Sequence, residues 1–151
     1  MLMMTNVDIK LRTIETHDIN KLFEWRNNPD IRSKSFNTAP ILWAEHEKWF
    51  KAKINDPYTA IYMAYCGQND IGSIRFENKG DAVKISVMLN PSFIGKGFGA
   101  EIIRSAVEKY VSERKVNKAI IAEIKKDNIA SVKAFQKAGF KENYLTFEYM
   151  P

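Results

Sequence analysis

Cysteine occurs once in the 151 residues, at Cys66. No internal disulfide can form, which suits a reducing cytoplasm and leaves the core to hold the fold. Cys66 lies in an apolar strand pattern and reads as packing rather than as a nucleophile. No apolar run approaches the roughly 20 residues that span a bilayer, so a membrane is not an expected partner. Met1–Asp8 has neither a basic start nor a long apolar segment, which argues against a secretory signal peptide. Basic residues form no run interleaved with aromatics, so nucleic acid is not expected either. Repeats, low-complexity tracts and linkers are missing, and no metal ion is expected. What is present suits one soluble globular domain over 1–151: 45% hydrophobic and 27% charged residues. The net charge of +5 favours anionic ligands.

Apolar periodicity divides the chain into alternating elements. Val7, Ile9 and Leu11 alternate, giving a strand over Val7–Ile14. Thr16 can cap a helix over His17–Asn28, with Ile19, Leu22 and Phe23 on one face and Arg26 next on it. Pro29 closes that helix, and Asp30–Pro40 has the aperiodic pattern of a loop. A second helix, Leu42–Ile54, places His46, Trp49 and Phe50 near one side. Tyr58–Tyr65 and Ile71–Glu77 read as strands joined by Gly67-Gln-Asn-Asp70. Lys79-Gly-Asp81 turns the chain into a third strand, where Val83, Ile85, Val87 and Leu89 alternate with Lys84, Ser86 and Met88. A helix over Gly99–Arg114, a strand over Lys118–Ile124 and a helix over Ile129–Ala138, with Gly139 as its C-cap, follow. Phe140 and Tyr144–Tyr149 complete the expected sheet.

The chain is organised around the turn between the strand ending at Leu89 and the helix beginning at Gly99. Asn90-Pro91-Ser92 stops the strand, and Gly95, Gly97 and Gly99 follow at spacing two. Residues without side chains let backbone N–H groups face a ligand, and a helix N-terminus adds about half a positive charge. A phosphate-bearing ligand is therefore expected here. The third glycine comes one residue too early for a dinucleotide fingerprint, and Gly95-Lys96-Gly97 lacks the Ser or Thr of a Walker loop.

The loop resembles the acetyl-coenzyme A pyrophosphate loop of the GCN5-related N-acetyltransferases, [QR]-x-x-G-x-[GA]. Gly97-Phe98-Gly99 matches its end, while Ile94 replaces the usual Gln or Arg and so removes one side-chain contact. A second block agrees: Ala122-Glu-Ile-Lys-Lys-Asp-Asn128, then Ser131, Phe135 and Gly139-Phe140, similar to the family's strand-N-x-x-S-x-x-x-[YF]-x-x-x-G-F segment. The resemblance implies an α/β fold of order β-αα-βββ-α-β-α-β, a mixed sheet with helices on both faces and splayed at the cofactor site. It further implies acetyl-coenzyme A as cofactor. Val87, Met88 and Leu89 would pair with its pantetheine arm, and Ile94, Gly95, Lys96, Gly97, Phe98, Gly99 and Ala100 would hold its pyrophosphate. Asn128, Ser131 and Phe135 would line the arm, although Asn128 also stands where a helix N-cap belongs.

Acetyl transfer to an amine needs a neutral amine, because an ammonium with a pKa near 10.4 cannot attack. Glu123 is the candidate base: it interrupts Ala119-Ile-Ile-Ala-Glu-Ile124, where desolvation would raise its pKa, and it matches a glutamate of similar ribosomal-protein N-terminal acetyltransferases. The alternative is an edge glutamate paired with Lys125 or Lys84. A backbone N–H near Met88 or Leu89 can meet the oxyanion. Phe135 stands where many relatives have a tyrosine able to protonate the leaving thiolate, so that proton has no assigned donor; Tyr144 is one candidate.

On the acceptor side, Arg26 and His46 interrupt apolar helix faces. A guanidinium so placed either reaches a carboxylate or awaits an anion, and a lone His is commonly structural. Phe23-Glu-Trp25-Arg26-Asn-Asn-Pro-Asp-Ile31 and Glu45-His46-Glu-Lys-Trp49-Phe50 resemble the acetyltransferases of nucleotide-linked 4-amino sugars, the pseudaminic-acid type. That implies Trp25, Arg26 and His46 on the acceptor side, near a nucleotide diphosphate, with Phe36, Trp49 and Phe50 walling sugar or base. Protein N-terminal acetylation is the alternative activity, and a non-catalytic acyl-coenzyme A module the reading outside enzymes. A homodimer is compatible with either.

Overall fold

A computed structural model describes residues 8–151. Val7 and the rest of the N-terminal reading, Met1–Val7, lie outside the described residues. Strands β1 (Lys10–Thr13), β2 (Thr59–Cys66), β3 (Asn69–Asn78) and β4 (Val83–Leu89) pair antiparallel in chain order, and β5 (Ile120–Ala122) joins β4 in parallel. The turn between β2 and β3 is tighter than expected, since Asn69 pairs with Cys66 and only Gly67-Gln68 remain as the loop. Gly67 has φ +60, the left-handed conformation that a two-residue hairpin requires.

Two apolar layers cover the sheet. Val83, Ile85, Ile74 and Phe76 are buried on the face carrying α4 (Gly99–Arg114) and α5 (Ile129–Lys137). Ile61 and Met63 are buried on the other face, together with Leu22 and Trp25 of α1 (Ile19–Asn27) and Phe50 of α3 (Trp43–Ile54). Each such side chain contributes about 1.5–3 kcal/mol when fully buried, so the alternation of the strands sets the order of the layers. Asp18, buried before α1, takes both Arg12 guanidinium nitrogens at 2.8 Å and ties that helix to β1.

Three boundaries depart from the sequence reading. Asn28 ends α1 and caps a new short helix, α2 (Pro29–Arg32), by accepting the N–H of Asp30; Pro29 fits because its missing N–H is not needed there. The expected loop therefore opens with a helical turn that fixes Arg32. β5 is three residues long, shorter than the expected Lys118–Ile124, so Glu123 lies past its end. Residues 141–151 form no strand: the described hydrogen bonds include none from this segment, and Leu145, Phe147 and Tyr149 are exposed. A period of two makes a strand only where an edge and an apolar floor are in register, and this segment meets neither.

Candidate active site

Backbone direction along β4 defines the first part of the site. Val83 N–H donates to Ala119 C=O on the β5 side, whereas Asn90 N–H donates to Ile71 C=O on the β3 side. Because direction alternates residue by residue, Val87 and Leu89 turn their N–H and C=O toward β5, and Met88 turns its own toward Ser73. The Met88 carbonyl confirms this, lying 3.1 Å from where a Cβ on Gly72 would stand. β5 pairs with β4 only from Val83 to Ile85. Past that point the strands no longer pair, and Val87 and Leu89 face the gap with free backbone groups. Met88 is a correction to the sequence reading: its backbone is used by β3, and its side chain packs beneath α1 and α3.

The turn after β4 supplies the second part. Asn90 accepts the N–H of Ser92, and Pro91–Phe93 forms a single 3-10 turn. Gly95 and Gly97 then take φ +78 and +84, conformations closed to most side chains. A Cβ on either would meet nothing within 4 Å, so the requirement for glycine there is conformational. The first bond of α4 runs from Ile102 N–H to Phe98 C=O, which leaves Gly99, Ala100 and Glu101 as unpaired helix-start donors. Among the described hydrogen bonds, no N–H from Gly97 to Glu101 donates to a protein acceptor. Phe98 is buried against Phe93, and Lys96 extends over the Phe93 ring. Gly99 permits close packing of helices, because a Cβ there would come within 3.2 Å of the Ala134 Cβ. Ile94 is exposed, ending the 3-10 turn.

Across the gap, Asn128 caps α5 by accepting the Ser131 N–H, and Phe135 is buried in the core. Glu123 is 50% exposed and lies 3.2 Å from Lys84 Nζ, so the desolvation expected of it is absent and the edge ion pair is what forms.

The face of the sheet under α1 and α3 carries Arg75, opposite Ser86 on β4. Glu77 holds Arg75 through Nε at 2.9 Å, Ser86 Oγ lies 3.4 Å from another of its nitrogens, and the guanidinium rests 5.1 Å from the Trp49 ring. Arg26 comes down from α1, donating one nitrogen to Asn37 C=O at 2.8 Å. Its other terminal nitrogen is buried without a protein acceptor, as is Nε of Arg32. Burial, then the neighbouring Arg32 and Arg75, hold the Arg26 guanidinium below its ordinary range. Ser33 and Lys34, directly after Arg32, reach the segment beyond β5 through Lys125 Nζ to Ser33 C=O and Lys34 Nζ to Asp127 C=O.

Three expected acceptor contacts are placed in the core. Trp25 and Phe50 are core residues, 6% and 1% exposed. His46 is 4% exposed, packed among Phe23, Trp43, Trp49 and Phe50, with Nε2 donating to Ile19 C=O at 2.8 Å. Burial keeps its imidazole below the usual range, against the opposing pull of that hydrogen bond. Phe36 stands 69% exposed after α2. The reading missed Arg32, because its segment looked aperiodic, and Arg75. Ser73, Arg75 and Glu77 at alternate positions facing a helical layer were the available signal.

Comparison with known proteins places this geometry. The acetyltransferase (GNAT) domain matches residues 8–141. The chain belongs to that family. It is 26% identical over 136 residues to "Acetyltransferase PseH" of Campylobacter jejuni, covering 87% of this chain and 84% of the relative. It is 25% identical over 139 residues to the uncharacterized N-acetyltransferase YfmK of Bacillus subtilis, covering 91% and 87%. A spermidine N-acetyltransferase from Vibrio cholerae, solved with coenzyme A and spermine, superposes with a TM-score of 0.81 over 96% of this chain and 88% of that one, at 22% identity, and so matches in fold. This acetyltransferase is accordingly an acetyl-coenzyme A-dependent N-acetyltransferase, with the mixed sheet and flanking helices of its family. The residues present fit that cofactor: the loop at Gly95 and Gly97 carries no side chains, and the five consecutive N–H groups from Gly97 to Glu101, which meet no protein acceptor among the described hydrogen bonds, suit a pyrophosphate. Among the described residues no helix is long and apolar enough to cross a membrane.

Proposed function

We propose that this acetyltransferase acetylates the amino group of a nucleotide-linked amino sugar, in the cytoplasm, by direct attack within a ternary complex. The observation that carries the reading is Arg26, a half-buried guanidinium with one buried, unpartnered nitrogen and no carboxylate among its hydrogen-bond partners. An arginine so placed suits an anionic acceptor better than a polycation, because further positive charge there would go unopposed. In this reading Gly95 to Ala100 take the pyrophosphate of acetyl-coenzyme A, and Val87 and Leu89 pair with its pantetheine arm. Ile94 and Lys96 flank the pyrophosphate, and Ser131 and Asn128 bound the arm from α5. Acetyl-coenzyme A supplies the acyl group as a thioester. The Leu89 N–H, facing the gap, is the donor suited to a developing oxyanion. Trp49 offers a flat apolar wall beside Arg75 for the sugar or base.

Glu123 acts in this reading as a partner of Lys84, and the amine loses its proton to water. The buried Phe135 cannot protonate the thiolate, whose pKa near 8.5 lets it depart unassisted. Thiol release from acetyl-coenzyme A, measured with UDP-linked 4-amino sugars, ribosomal N-terminal peptides and spermidine, tests the reading. Turnover is expected with the UDP-linked amino sugar and at least tenfold less with the others. Preference for peptides, or for spermidine, would overturn it.

A further inference from the structure

We infer that the cavity where β1 stops short of the start of β2 is a binding site for a free apolar α-amino acid, held by its ammonium at Asp56 and by its carboxylate at Arg114. The site lies on the β1 edge of the sheet, with β3 and β4 between it and the gap beside β5. It is therefore separate from the coenzyme.

The cavity follows from where β1 ends. Thr13 is the last residue of β1 to pair with β2. Ile14 N–H still reaches Ile61 C=O at 2.9 Å, and the chain then leaves the sheet for the 3-10 turn Thr16–Asp18. Thr59 and Ala60 are left without a strand on that side. The end of α3 meets this edge from one face of the sheet and the end of α4 from the other. Arg114 Nη1 joins the two ends by donating to Pro57 C=O at 3.0 Å. The cavity between them holds about 360 Å³, with Ile14, Ala60 and Ile61 as a buried apolar floor. That size falls within the range of small-molecule sites.

Four charged side chains line the cavity, and two of them are already matched. Lys53 Nζ is spent on Glu77 at 2.7 Å. Glu113 receives Lys109 at 2.6 Å and the buried Tyr62 hydroxyl at 2.8 Å. Asp56 and Arg114 remain, and among the described residues neither forms an ion pair. Thr59 Oγ1 at 2.7 Å and Tyr58 N–H at 3.0 Å hold the Asp56 carboxyl below its ordinary range, so it is ionised at neutral pH. Each of its oxygens keeps a second lone pair, and Arg114 keeps the donors that Pro57 does not use.

Opposite charges thus face one cavity without neutralising each other. A simple anion would meet Arg114 but be repelled by Asp56 and Glu113, and a simple cation would meet the reverse at Arg114 and Lys53. A zwitterion satisfies both. Arg114 touches the residue next to Asp56, so one small ligand can bridge the two charges. An α-amino acid carries its ammonium and carboxylate on adjoining carbons, and an apolar side chain suits the isoleucine floor. Lys53 ties this cavity to the opposite side of the fold, since the Glu77 it holds also fixes Arg75.

The test is an NMR titration of backbone amides in protein saturated with coenzyme A, which has no acetyl group to transfer. The probes are L-leucine, leucinamide, which lacks the carboxylate, and N-acetylleucine, which lacks the ammonium. Leucine is expected to shift the amides of Asp56, Thr59, Ile61 and Arg114 saturably, and each analogue to bind at least tenfold more weakly. Arg114→Gln should weaken leucine at least tenfold while leucinamide stays within twofold, and Arg114→Lys should recover part of the loss. Asp56→Asn should weaken leucine while N-acetylleucine stays within twofold. Absence of saturable shifts at these amides, an analogue that binds as tightly as leucine, or variants that weaken all three probes alike overturns the site. The analogue series on the wild type decides the matter even where a variant fails to fold.

Discussion

Glu77 shows how one side chain can decide the behaviour of a whole face. Burial alone would raise its carboxyl, but hydrogen bonds and charge from Lys53 and Arg75 bring it down to about 2. A carboxyl lowered on folding contributes stability above its unfolded value near 4.3, and that contribution is lost as pH falls toward the folded value. Replacing it leaves Lys53 and Arg75 facing each other unpaired. Glu77→Gln should therefore cost about 2–3 kcal/mol in urea unfolding at pH 7, and the gap to wild type should shrink as pH falls from 5 to 2.5. A gap that stays constant over that range contradicts the account. Glu123 makes the opposite case. An essential base would cost roughly 10²–10⁴-fold in turnover when removed. With its carboxylate half-exposed against Lys84, Glu123→Gln should leave kcat within a few fold and the shape of the pH–rate profile unchanged. A lost acidic limb would return Glu123 to the base role.

At the scale of elements, α5 and its end carry the same logic. Gly139 has φ +102, its N–H donates to Gln136 C=O, and Phe140 N–H reaches back to Phe135 C=O at 2.9 Å. The rings of Phe135 and Phe140 meet edge to face at 5.0 Å, the apolar contact that accompanies this termination. A Cβ on Gly139 would touch nothing within 4 Å, so its requirement is conformational and not steric. Gly139→Ala should lower stability by about 1–2 kcal/mol in thermal unfolding, and Gly139→Asn by less, since asparagine tolerates the left-handed region. Equal losses for the two would point to packing instead. Local signals of this kind were legible in the sequence: the bounds of α4, the cap at Gly139 and the alternation of β4 all follow from spacing and turn chemistry. The last strand was not legible, because alternation over Tyr144–Tyr149 states which face could be buried but not whether an edge is there to receive it. Arg32 was hidden for a related reason. Its position depends on Asn28 serving two helices at once, which reads locally as a helix followed by a loop.

At the scale of the molecule, β4 is the wall that both halves of the chemistry share. Its odd residues turn backbone groups toward β5 and side chains to the α4 layer, while Lys84 and Ser86 stand opposite Glu77 and Arg75 on the other face. The sequence motif located this strand, but a motif carries no backbone direction, so Met88 and Leu89 looked equivalent until the ladder distinguished them. His46 and Phe50 looked like ligand contacts for a similar reason: helical spacing marks the inner face without saying whether core or cleft lies beneath it.

Amide hydrogen exchange followed by NMR, with and without acetyl-coenzyme A, tests the central arrangement most directly. The account predicts new protection at Val87, Leu89 and Gly95–Glu101, with Met88 unchanged because β3 already holds its N–H. Unaltered exchange along Gly95–Glu101 on saturation, or protection gained at Met88 and not at Leu89, would contradict it.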